Sequence, residues 1–182
     1  MRISCDARLI ISLCPRKPDA TSMTAAFGNK IPAKDIASEN KMIIETRSAE
    51  ETYQLGFEIG KKATSGQVYT MVGDLGVGKT VFTQGMAKGL AIEEPISSPT
   101  FTIVQVYDEG RLPFYHFDVY RIGDISEMDE IGYEDYIYGE GVALIEWANL
   151  IEEILPEKRI SIMIEKDLEQ GFDYRKITIE ER

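Results

Sequence analysis

The eight residues Gly73 to Thr80, reading GDLGVGKT, constrain this chain more than any other stretch. They satisfy the pattern G-x-x-x-x-G-K-[ST] at every fixed position. Such a loop works only where a strand delivers the chain to it and a helix carries the chain away, so it demands an α/β fold around itself. The flanks comply. Gln67 to Val72 (QVYTMV) is a short run of β-formers ending at Gly73, and VFTQGMAKGL sets Val81, Phe82, Met86 and Leu90 at roughly helical spacing, with Gly89 near the end. A chance match in a glycine-containing loop would lack that setting. Glycines let successive backbone N–H groups turn inward around phosphates. Lys79 can then reach the β- and γ-phosphates, and the Thr80 hydroxyl can bind a magnesium ion bridging them. A helix beginning there adds free N–H groups and the positive end of its dipole. Gly73, Asp74, Leu75, Gly76, Val77, Gly78, Lys79 and Thr80 are therefore the expected phosphate-binding residues, for a nucleoside triphosphate with magnesium.

The chain has 182 residues and a formal net charge of −11. Phosphate backbones are gripped by Lys and Arg, so a chain this acidic is a poor independent binder of nucleic acid. Work on a nucleic acid would need a partner to hold it. No apolar run approaches the roughly 18 residues of a membrane span. Residues 1–41 carry 7 Lys+Arg against 4 Asp+Glu, whereas the other 141 carry 13 against 27. The first segment also holds both cysteines, Cys5 and Cys14. It reads as an N-terminal extension, a leader or the result of a start assigned too early, with 42–182 as the globular unit. A Leu9–Cys14 apolar run hints at a signal peptide but is interrupted by Ser12 and lacks a clear cleavage site. Without cysteine, residues 42–182 read as a cytoplasmic domain.

Along that domain MIIET suggests a strand. SAEETYQLGFEIGKKA suggests a helix with Ser48 and Glu51 at capping-box spacing and Tyr53, Leu55, Phe57 and Ile59 as apolar positions. After the loop and its helix, SSPTFTIVQVYDEGRLPFYHFDVYR reads as a β-hairpin joined by Asp108 to Pro113. EMDEIGYEDYIYG suggests a helix with an aromatic face, GVALIEW a buried strand, and ANLIEEILP a short helix ended by Pro156. RISIMIEK and YRKITIEE suggest an antiparallel pair around a Gly171 turn. The order predicts a single P-loop NTPase-like α/β domain, with a central mixed sheet flanked by helices and an inserted β-hairpin.

Other residues can carry chemistry. Glu146 ends the apolar run Val142-Ala-Leu-Ile, so its carboxylate should emerge at the C-terminal edge of a core strand, where an acid can orient magnesium and its waters. An ordinary solvent-facing residue is the plainer account. In HFDVYR, a strand would put His116, Asp118 and Tyr120 on one face. Asp118 could then position a water or support the metal, or the polar face could simply be wet. His116 reads as structural rather than catalytic. Thr100 in SSPTF stands where nucleotide switches often place a γ-phosphate-sensing threonine, though on the residues alone a plain Ser-Ser-Pro turn is the simpler account. Trp147 could line the nucleotide pocket or pack in the core.

GDLGVGKT, SPTF, HFDVYR and LIEW, in this order, resemble the TsaE family of bacterial ATPases, over about Met42 to Arg182. The resemblance implies a part in making the threonylcarbamoyl modification on adenosine 37 of tRNA. It implies slow, magnesium-dependent hydrolysis of ATP to ADP, and work with TsaB and TsaD proteins that hold the tRNA and are reset between turnovers. Carried over, Gly73 to Thr80 would hold the phosphates, Thr80 and Glu146 would serve the metal, and Asp118 would be needed for activity. Thr100 would be the switch position and Trp147 would sit beside the nucleotide. Two segments, around Thr46–Glu50 and Gly171–Arg175, would lie near the base.

Rival readings have less support. A regulatory GTPase would need N-K-x-D, yet Asn29-Lys30 and Asn40-Lys41 lack the Asp, and Asp129-Glu-Ile-Gly132 lies in a helical stretch. A small-molecule kinase would need clustered arginines, whereas Arg111, Arg121 and Arg159 are scattered. A nucleotide-controlled adaptor, whose hydrolysis only times a protein contact, is not separated from a slow ATPase by sequence.

Overall fold

The computed structural model describes residues 41–182; the expected N-terminal extension, with Cys5 and Cys14, lies outside the described residues. Strands β1 (Lys41–Thr46), β2 (Val68–Val72), β3 (Val104–Tyr107), β4 (Phe114–Asp118), β5 (Val142–Glu146), β6 (Ile160–Lys166) and β7 (Arg175–Glu181) form one sheet. Its order is β1-β7-β6-β2-β5-β4-β3. The middle strands β6, β2, β5 and β4 run parallel. Antiparallel pairs close both sides, β3 on β4 and β6 on β7 on β1. The mixed sheet and the inserted hairpin match expectation.

Being covered on both faces, β5 is buried at every residue, which is why its sequence is an unbroken apolar run up to Glu146. Val142 and Leu144 join the core that holds helices α1 (Ala49–Lys62) and α2 (Lys79–Gly89). Ala143 and Ile145 join the opposite core, with the short helices α3 (Ser126–Glu130) and α4 (Tyr133–Ile137) and the 3-10 helix Ala148–Ile154. The segment expected as a single helix is thus two, broken at Gly132 (φ 69°). Among the described residues three sit at positive φ without being glycine, including Ile103 (66°) and Trp147 (62°), both flanking the site described below.

The Ser48 hydroxyl accepts from Glu51 N–H at 3.1 Å and starts α1. Glu51 reaches one residue further back than a standard capping box, accepting from Arg47 N–H at 2.6 Å. The buried face of α1 differs from the expected one: it is Thr52, Leu55, Gly56 and Gly60, with Tyr53, Phe57 and Ile59 only half-buried. The reason is a reciprocal glycine seam. A Cβ at Gly56 or Gly60 would collide with the backbone of Phe82 or Met86, and one at Gly85 or Gly89 with that of Tyr53 or Phe57. The two helices touch backbone to backbone, so α2 is fixed rigidly and the loop feeding it is fixed with it.

Candidate phosphate site and its flanking acids

The register of the parallel strands aligns Met71 of β2 with Glu146 of β5, and Glu146 with Asp118 of β4. Both acids are the last residues of their strands, and both side chains lie on the α1–α2 face by the alternation that puts Phe114, Val142 and Leu144 there. The loop leaves β2 beside them. C-terminal strand ends of a parallel sheet are where α/β folds build ligand sites. Across the loop, Lys79 Nζ donates to the carbonyls of Gly73 (2.8 Å) and Asp74 (3.1 Å). The ammonium also stands 3.9 Å over the Trp147 ring. Burial pushes the Lys79 pKa below the usual lysine value, while Glu146, Asp118 and Asp74 pull it back up. The Trp147 backbone N–H donates to Met71 O at 2.9 Å, which ties the residue to β2 just after β5; the Tyr120 ring packs against the indole at a tilt of 45°, with ring centres 4.8 Å apart.

Glu146 is 2% exposed, so it is not the solvent-facing residue of the plainer account. Its Oε1 accepts from His116 Nε2 at 2.9 Å and lies 3.3 Å from Thr83 Oγ1. A hydroxyl has one proton, and Thr83 divides it between Glu146 and the Lys79 carbonyl at 3.0 Å. Asp118, 3% exposed, is not on a wet face either. Its Oδ2 accepts from the hydroxyls of Ser98 and Thr100, the latter at 2.7 Å, and Oδ1 accepts from Tyr120 N–H at 3.1 Å. Its backbone N–H donates to Ile103 O at 2.9 Å, so the acid grips the segment before β3 with side chain and main chain together. Tyr120 lies beyond β4 and is 53% exposed, so of the three residues expected on one face only His116 and Asp118 share it, and both are buried.

Gly76 (φ 72°) and Gly78 (φ 107°) supply the left-handed turns that wind the loop, while Leu75 at its tip is exposed and Val77 is buried. The flanking segments named in the sequence come together here. Arg47 lies over the Tyr174 ring at 5.3 Å, and Arg175 Nε donates to Val77 O at 2.6 Å. Sequence reasoning missed Ser98 and Thr83 as members of the site, and placed Arg175 near it only as the end of the segment Gly171–Arg175 that the resemblance implies. Thr83 had a legible signal, since it falls four residues after Lys79 on the same helix face; Ser98 had none, and no spacing tied Arg175 to the loop.

Comparison with known proteins gives the fold and site a lineage. A family model described as threonylcarbamoyl adenosine biosynthesis protein TsaE matches residues 46–177. The chain belongs to the TsaE family. The tRNA threonylcarbamoyladenosine biosynthesis protein TsaE of Bacillus subtilis (strain 168) is 48% identical over 133 residues, which span 73% of this chain and 81% of the relative. Its counterpart in Treponema pallidum (strain Nichols) is 42% identical over 119 residues, 65% of this chain and 87% of the relative. The crystal structure of Bacillus subtilis YdiB superposes with a TM-score of 0.67 at 41% identity, covering 78% of this chain and 85% of that one. Family membership places the chain in tRNA threonylcarbamoyladenosine biosynthesis. Among the described residues no helix is long and apolar enough to cross a membrane.

The Thr80 hydroxyl and the Glu146 carboxylate are hard oxygen donors, the kind that magnesium takes. Among the described residues no group of three or more His, Cys, Asp and Glu gathers to cage a metal.

Proposed function

We propose that the chain binds ATP with magnesium at Gly73–Thr80 and hydrolyses it slowly to ADP and phosphate. It does so in the cytoplasm as a component that sustains turnover of a TsaB–TsaD complex, which itself holds the tRNA. The observation that carries this is the convergence of Lys79 with two buried acids, Glu146 and Asp118, at aligned C-terminal ends of adjacent parallel strands beside the glycine loop. Buried carboxylates without a nearby cation are costly, and here the cation belongs to the loop.

In this reading the loop N–H groups and Lys79 bind and orient the polyphosphate, and Trp147 flanks the nucleotide. Thr80 and Glu146 would hold magnesium, which when bound neutralises charge on the phosphate oxygens. Glu146, kept in place by His116 and Thr83, presents its carboxylate without having to move. Asp118 sets the Ser98–Thr100 segment, and Thr100 offers its oxygen to the γ-phosphate side. The acidic surface is consistent with a tRNA held by the partner.

Calorimetric titration of ATP with magnesium tests the site. Wild type should bind, and Lys79→Ala should lose at least about tenfold in affinity, the scale of a charge-assisted contact. Equal affinity of the two proteins would remove the loop assignment. A pull-down with purified TsaB and TsaD, with and without ATP, tests the assembly; no association under either condition would leave only a generic nucleotide-binding domain.

A further inference from the structure

One carbonyl of the loop is held from outside the motif. Arg175, the first residue of β7, donates from Nε to Val77 O at 2.6 Å. Its terminal nitrogen donates to Phe172 O (2.8 Å) and Tyr174 O (2.7 Å), so the guanidinium is anchored on the turn before β7. In a trans peptide the C=O of one residue and the N–H of the next point in opposite directions. All peptides among the described residues are trans. Drawing the Val77 carbonyl toward Arg175 therefore turns the Gly78 N–H to the other side of the loop. Among the described residues the Val77 carbonyl accepts no other hydrogen bond. The Val77 side chain is buried, but burial fixes the residue and not the plane of the peptide that follows it. Gly78, at φ 107° with open space around the position a Cβ would take, puts no side chain in the way of that peptide.

We propose that Arg175 is a positioning residue of the phosphate site: it sets the Val77–Gly78 peptide so that the Gly78 N–H is already aimed into the loop, and it does so without touching the ligand. The proposal rests on the phosphate-binding reading of Gly73–Thr80. It adds a dependence on the far edge of the sheet, because Arg175 pairs in register with Thr46 of β1 and Lys166 of β6. A preset N–H donor needs no reorganisation when an anion arrives, and that is what makes such donors effective.

The test compares ATP with inorganic tripolyphosphate, which has the phosphates and no nucleoside, in calorimetric titrations of wild type, Arg175→Ala and Arg175→Lys. Both ligands should lose affinity by the same factor, about tenfold in Arg175→Ala and less in Arg175→Lys, which keeps the charge but not the fork. Loss for ATP alone would mean that Arg175 contacts base or ribose, and loss for neither would mean that the brace is idle; either result overturns the proposal. The ligand-free protein supplies the second readout. The Gly78 amide signal in an NMR spectrum should shift or broaden in Arg175→Ala, whereas an arginine acting only by touching phosphate would leave it unmoved, and that too overturns the proposal. Arg175→Lys carries the comparison should Arg175→Ala fail to fold. Wild type binding neither ligand would instead remove the phosphate-site reading beneath it.

Discussion

Glu146 and Asp118 are neighbours in register, each the last residue of a parallel strand and each almost fully buried, yet they are held by opposite kinds of structure. The partners of Glu146 belong to regular elements: His116 of β4 and Thr83 of α2, a helix locked against α1 by the glycine seam. The partners of Asp118 are loop groups, Ser98, Thr100 and the N–H of Tyr120. That loop runs through Ile103 at φ 66°, a conformation that costs a β-branched residue on the order of 1–3 kcal/mol and lasts only where surrounding contacts enforce it. One acid is a fixed electrode and the other is a clasp on a strained segment. The same residue chemistry, placed one strand over, is braced by regular elements in one case and holds a loop in the other.

The largest effect that can break this contrast is on hydrolysis. Glu146→Gln should lower the single-turnover rate of ATP hydrolysis about a hundredfold while changing ATP affinity little, because a fixed charge acts mainly on charge that develops in the reaction. Asp118→Asn should slow the rate as well, but with increased amide hydrogen exchange across residues 99–104. Glu146→Gln should leave exchange in that segment as it is. If Asp118→Asn abolishes hydrolysis with exchange unaltered, Asp118 works at the reacting atoms and the clasp description fails.

A stability comparison comes next. Asp118→Ala deprives two hydroxyls and a backbone N–H of their acceptor, although Ser98 and Thr100, 3.0 Å apart, can still bond to each other. The expected loss is about 2–3 kcal/mol in a urea titration. A loss below about 0.5 kcal/mol, the level of an ordinary surface change, would mean that the clasp does not hold the loop.

Much of this arrangement was legible in the sequence, for reasons that are local. The strand-loop-helix unit announces itself because a phosphate loop needs fixed spacing, and β5 does so because burial on both faces leaves an unbroken apolar run. The hairpin follows from alternation around Asp108–Pro113. What escaped is long-range. The burial of α1 was misread because its contact face is made of Gly56 and Gly60, which carry no hydrophobic signal, and only the glycines of α2 give them meaning. Likewise HFDVYR pointed to an acid and a histidine on one face, but not to how β5 and α2 would surround them. Ser98 sits 20 positions from Asp118, and Arg175 sits 98 from Val77, separations at which no spacing rule operates.

The smallest expected effect sharpens the contrast most finely, because it removes one hydroxyl from each acid. Ser98→Ala takes from Asp118 a hydroxyl whose proton has a carboxylate as its strongest acceptor, and a hydrogen bond to a charged group is worth about 1.5–3 kcal/mol. Thr83→Val takes from Glu146 a hydroxyl that stands 3.3 Å away and is nearer to the Lys79 carbonyl, at 3.0 Å. Its shape is nearly conserved and His116 remains on the same oxygen, so the cost should be below about 1 kcal/mol, that of an ordinary neutral hydrogen bond. Urea titrations of the two variants should therefore rank Ser98→Ala as the more destabilised, with the increased exchange again confined to residues 99–104. The reverse ranking would mean that Glu146, not Asp118, depends on its hydroxyl partner, and the assignment of fixed electrode and clasp would have to be exchanged.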